Sequence, residues 1–270
     1  MTAGDRGPGI GEAPTGLVVR GPATYVGPVA RRGTINFMFE RSWRVQRTAA
    51  GPAPTVDTMG NSQAYSQTYD SLIQDVQNLI TLHPSTEGTR GRPAGDTGPL
   101  LRSAVVLLHT AWENYVERVA IEGLDFLLDQ IGSDHTKLHH ALEQRLAALK
   151  NPWALAGTGW KAEARNAVKL EVEFLNTPNV KNTERLLDLA IGLPDALHNI
   201  SISWPKGKVL ANVDEFVHDI RGEIVHKGAT LGPLHKGGVE EWIGFFDGLV
   251  SRLDKKIGTH LETETGTAPW

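Results

Sequence analysis

Past residue 58, apolar and polar positions recur with the period of an amphipathic α-helix. The clearest stretch is 209–228, V-L-A-N-V-D-E-F-V-H-D-I-R-G-E-I-V-H-K-G. It puts Val209, Val213, Phe216, Val217, Ile220, Ile224 and Val225 on one face, with Gly228 placed to cap the end. Upstream, Tyr65, Tyr69, Leu72, Val76, Leu79 and Ile80 predict a helix over 62–82, which Pro84 stops. Leu101, Val105, Leu108, Trp112, Tyr115 and Val119 predict the longest helix, 99–131, with Pro99 well placed in its first turn. Asp134 is expected to cap a third helix running to about residue 150, where Asn151-Pro152 breaks the chain. A fourth helix is predicted over 158–175, and a short fifth over 184–191 capped by Asn182 or Thr183. After a loop with Gly232, Gly237 and Gly238, Trp242, Phe245, Phe246, Leu249, Val250 and Leu253 predict a last helix over 239–257. No segment past residue 59 alternates with period two. The pattern is that of an all-α bundle.

Residues 1–58 lack this order. They hold 9 Gly and 6 Pro and no lysine, and only 34–39 and 16–20 suggest short strands. The stretch is expected to be a Gly/Pro/Arg-rich, largely disordered extension. Met59 opens the first periodic segment, which makes it a candidate start of translation. The expected division is thus an extension (1–58), a helical domain (59–258) and a flexible tail (259–270).

Charge and composition narrow the function classes. The chain carries a net charge of −4. With 7 of the 27 basic and 4 of the 31 acidic residues in the extension, the remainder holds 20 against 27. That acidic balance argues against binding a bulk polyanion, so any nucleic-acid contact has to be a local patch. The absence of cysteine excludes disulfides, thiolate metal sites and cysteine nucleophiles, and fits a reducing cytoplasm. No apolar run is long enough to span a bilayer.

The candidate chemistry lies on the 209–228 helix. Arg221 has no acid at i±3 or i±4, so the usual intrahelical ion pair is denied to it. Five residues on is His226, about 140° around the helix, so the two do not meet on one rigid backbone, although the long arginine stem can swing. A cationic fork beside a side chain of the type that titrates near neutrality can cleave phosphodiesters. The other reading is a solvated arginine and a histidine favoured by the helix dipole. His135 and His139, at i, i+4 beside Asp134 and His140, have metal-ligand spacing but no third ligand, so no metal or other cofactor is expected. The Trp242, Phe245 and Phe246 stripe reads as core or subunit seam before it reads as a base-stacking platform.

Three stretches together resemble the RiboL-PSP-HEPN branch of the HEPN superfamily. Residues 100–117, L-L-R-S-A-V-V-L-L-H-T-A-W-E-N-Y-V-E, are similar to its long core helix with a Trp-Glu pair. Residues 174–187, F-L-N-T-P-N-V-K-N-T-E-R-L-L, resemble its Asn/Pro connector and short helix, and R-G-E-I-V-H, 221–226, fits the superfamily's R-x4-6-H motif. The resemblance implies an HEPN-like helical bundle and a metal-independent endoribonuclease. It implies a homodimer whose motif helices meet, so that Arg221 can serve the partner's histidine. Arg221 and His226 would be catalytic, with Glu113 a third candidate that orients one of them; an exposed acid beside a buried tryptophan is the alternative for Glu113. Lys227 would touch RNA backbone or simply be solvated. Gly222 stands where many members carry a polar residue, commonly Asn, after the motif arginine. It removes a possible ligand to phosphate, permits a close partner helix, or marks a silent site. Two function classes follow: an RNase acting as a toxin or anti-phage effector, held by an antitoxin or regulator, and a silent dimerisation or binding module.

Overall fold

The computed structural model describes residues 60–83, 97–202, 208–228 and 234–270. Expectations for 1–58, for Pro84 and for Gly232 lie outside these residues. Among the described residues the elements are all helical. They are α1 (Asp70–Thr81), continuous with a π-helical turn Ala64–Tyr69, then α2 (Gly98–Gln130), α3 (His140–Ala147), α4 (Gly159–Glu173) and α5 (Val180–Ile191). α6 (Val209–Asp214), a π-helical segment Glu215–Arg221 and α7 (Gly222–Lys227) follow as one unbroken right-handed run, and α8 (Lys236–Thr265) ends the fold.

α2 is the axis of the bundle. It packs against α1, α4, α5, α8 and the motif helix, which is why its buried set runs from Leu101 to Leu128 on nearly every side. An aromatic cluster joins it to its neighbours. Trp112 lies 5.6 Å from Phe246 of α8, and Phe246 lies 4.7 Å from Phe216 of the motif helix. The Trp242, Phe245 and Phe246 stripe is therefore core, with all three buried. Carboxylates from α2 and α8 hold the start of the first helix. Glu122 accepts from the Gln63 and Ala64 N–H groups at 2.9 and 3.0 Å, and buried Asp254 accepts from the Ser62 N–H at 3.0 Å and the Tyr115 hydroxyl at 3.1 Å. These acceptors satisfy N–H groups that no helical carbonyl reaches.

Several boundaries differ from the sequence expectation. Asp134 does cap, but the capped element is the 3-10 turn His135–Lys137; Leu138 is extended, and α3 begins only at His140. α5 begins at Val180, because Asn179 accepts the Asn182 N–H and so takes the capping role expected of Asn182 or Thr183. α8 begins at Lys236, with Gly237 and Gly238 in its first turn, and continues past Ile257 to Thr265. The expected tail is thus partly helix. Leu261 is fully buried, His260 Nε2 bonds the Ile191 carbonyl at 2.7 Å, and the Gly60 N–H donates to the Trp270 carbonyl at 3.1 Å. Gly192 ends α5 at φ +71°, and a Cβ there would lie 2.8 Å from that of His139. The turn therefore needs glycine for both backbone and space.

Among the described residues no helix is long and apolar enough to cross a membrane, and no cluster of three metal-binding side chains forms. His139 turns its Nε2 to the Leu189 carbonyl at 2.9 Å, a structural bond that occupies one nitrogen of the expected His135/His139 pair.

Candidate active site

The three stretches singled out in the sequence converge in space. Trp112 of α2 donates its indole N–H to the Pro178 carbonyl at 2.8 Å, tying the core helix to the connector. The next residues tie the connector to the motif helix: Asn179 Nδ2 donates to His218 Nε2 at 3.2 Å, and the Val180 N–H donates to Asp214 at 3.0 Å. The connector's Asn and Pro residues thus dock the motif helix beside α2.

Arg221 closes the π-helical segment. A π turn holds one more residue than an α turn and recurs at functional positions. The side chain is half-buried, and its Nε is enclosed without a hydrogen-bond partner. Two groups from successive turns of α2 sit within reach of its charge. His109 is 1 % exposed, and its imidazole is held down to about 4, first by burial and then by the Arg221 guanidinium. Glu113 is pushed up by burial, while Arg221 pulls it back. His109 Nδ1 lies 3.9 Å from Glu113 Oε2. A carboxylate on that side favours the tautomer with the proton on Nδ1, which leaves Nε2 as an acceptor. That Nε2 has no partner either. Arg221 thus keeps an unpartnered buried donor, and His109, within reach of its charge, an unpartnered buried acceptor. One turn beyond, burial and the Glu113 charge lift Glu117 to about 7.

Glu113 lies within reach of the Arg221 charge, and so does His109, which together with Glu117 the sequence expectation did not include. The signal was an H-x3-E-x3-E stripe at i, i+4, i+8, which sets three titratable groups along one side of α2. His226 is not brought to Arg221 within the chain. α7 keeps α-helical geometry, so five residues separate the two by about 140° and about 7.5 Å of rise. His226 is exposed. Lys227 is paired on its own helix with Glu223 at 2.9 Å. Val225, expected on the buried face, is 48 % exposed. α7 packs mainly on α2, so Ile224 is covered and its neighbour is left outside. Gly222 is helical, and a Cβ there would meet only the Val217 carbonyl at 3.6 Å. Nothing among the described residues demands a glycine there.

The arrangement offers a half-buried arginine with polar groups within reach of its charge, and an exposed histidine on another flank of the same helix. The arginine can bind a phosphate, and the histidine can accept a proton, at separate places on one chain. Comparison with curated proteins and with solved structures found no match. The RiboL-PSP-HEPN family description matches residues 67–259, a span that includes α2, the connector and the motif helix. The chain belongs to the RiboL-PSP-HEPN family.

Proposed function

We propose that the protein is a metal-independent endoribonuclease that works as a homodimer through its motif helices, in the role of a toxin or anti-phage effector restrained by an antitoxin or regulator. The observation that carries this reading is Arg221, half-buried on a π-helical turn with its charge set against His109 and Glu113. Such a fork is prepositioned for a phosphate.

In the proposed reaction the RNA 2′-hydroxyl attacks the adjacent phosphorus, and His226 takes its proton. Arg221 holds the non-bridging oxygens as negative charge builds on them. The P–O5′ bond breaks, and the partner's histidine returns a proton to the leaving oxygen. The products are a 2′,3′-cyclic phosphate and a 5′-hydroxyl. DNA lacks the nucleophile and survives. The exposed Val225 beside His226 supports the dimer, since an apolar side chain there gains cover from a partner helix. Two motif helices side by side would let Arg221 of one protomer work with the partner's histidine, across the gap that separates the pair within one chain.

The second reading is a silent dimerisation or binding module. The separation of Arg221 from His226 and the Lys227–Glu223 ion pair favour it. Expression in a bacterial host separates the two. The nuclease reading expects growth arrest from the wild type and relief with either Arg221→Ala or His226→Ala. Equal growth for wild type and variants at equal protein levels would favour the silent module.

A further inference from the structure

Beyond the motif helix, positive charge is concentrated on the outer face of α8. Arg252, Lys255 and Lys256 recur at helical spacing and line a groove of about 600 Å³ together with His260, whose Nε2 is bonded to the Ile191 carbonyl, and with Asn199 and Ser201 on the facing loop. The wall is built rather than incidental. Lys256 Nζ donates to the carbonyls of Asp195 and His198, at 2.5 and 2.9 Å, and so pins the loop to α8. Glu184 and Asp195, the acids whose charge reaches Lys256, are turned to His198, at 2.9 and 3.7 Å, and neither lines the groove. Arg252 and Lys255 are exposed, and neither has an ion pair among the described residues. In a chain of net charge −4, a groove that sets three cations and several hydroxyl or amide groups around Leu193 and Ile200, with no carboxylate in its lining, favours an anion.

We propose that this groove is a second phosphate site, which holds the phosphodiester backbone of an RNA strand away from the bond that is cut. Its capacity for phosphate stands on the groove alone, whereas the identity of the strand as substrate rests on the nuclease reading. Phe246, which packs on Phe216 of the motif helix, precedes Arg252 by six residues and His260 by fourteen. The groove therefore extends roughly 9 to 21 Å along α8 from the point where the two helices touch. A strand of several nucleotides spans such a distance.

The test is fluorescence anisotropy of full-length protein with a labelled 20-nucleotide 2′-O-methyl RNA, which cannot be cleaved. Wild type is compared with the Arg252→Gln/Lys255→Gln double variant at several salt concentrations, with inorganic phosphate as competitor. The expected result is at least a tenfold loss of affinity and a log–log salt slope shallower by about 1.4, the loss of two phosphate contacts on a single strand. Melting temperature should be unchanged, as should the rate on a dinucleotide that covers only the scissile phosphate. Equal affinities and equal slopes would overturn the groove. If the wild type ignores RNA but titration calorimetry shows that it binds inorganic phosphate, and the double variant loses that binding, the groove stands and the nuclease reading falls. Binding of neither probe overturns the groove.

Discussion

His109 of α2 and Arg221 of the motif helix each enclose a nitrogen without a hydrogen-bond partner, and the guanidinium charge helps hold the imidazole at about 4. A neutral imidazole beside an arginine does not compete for the arginine's charge. Under the nuclease reading this leaves the fork available to a phosphate.

Arg221→Ala should abolish most of the proposed activity. Loss of one charge-stabilising donor group costs about 100-fold or more in rate. Arg221→Lys should recover little, because an ammonium lacks the planar fork. Melting temperature of both variants should stay within a few degrees of wild type, as measured by calorimetry. Full activity in either variant would remove Arg221 from the mechanism.

Glu117 makes stability fall as pH rises. Its folded-state value of about 7 stands above the usual 4.5, so between these values the folded protein holds a proton that the unfolded chain has lost. The contribution is complete below the lower value and gone above the higher one. Glu117→Gln should therefore melt close to wild type at pH 4.5 and above it at pH 8. A melting difference that does not vary over this range would contradict the assignment.

His109 acts in the opposite direction. Its folded value of about 4 lies below the usual 6.5, so stability is present above 6.5 and is lost as pH falls towards 4. His109→Leu should flatten the acid side of the stability curve. Chemical denaturation at pH 4.5 and 7 would show a smaller difference for the variant than for wild type.

These two residues mark where sequence reading reached its limit. The helices were legible because burial on one side imposes a 3.6-residue repeat, and Trp112, Phe216 and Phe246 all fell on predicted apolar faces. The π-helical segment was not legible, since 215–221 keeps an ordinary amphipathic pattern and the extra residue shows only in the backbone. The burial of His109 was hidden because a polar residue on an apolar face carries no sign of the cation that will lie against it. The end of α8 was missed because Leu261 is the sole apolar anchor in T-H-L-E-T-E-T, 259–265. Of the candidate site, Arg221 stood out in the sequence because it has no acid at i±3 or i±4, and Glu113 from its Trp-Glu pair. What holds them, His109 and the Asn179–His218 contact, is tertiary and has no local signature.

Gly222→Ala should stabilise the chain. Alanine gains roughly 1 kcal/mol of helix propensity over glycine, and the only atom a Cβ would meet is a carbonyl at ordinary contact distance. A rise of about 2–4 °C in melting temperature is expected. A fall, together with weaker self-association in sedimentation, would place a partner helix against this residue.

The most direct measurement is incubation of purified protein with mixed RNA in EDTA, beside His226→Ala and Arg221→Ala. The nuclease reading predicts cleavage that survives chelation, leaves 2′,3′-cyclic phosphate ends and is lost in both variants. Cleavage that requires added metal, or that persists in both variants, would contradict it.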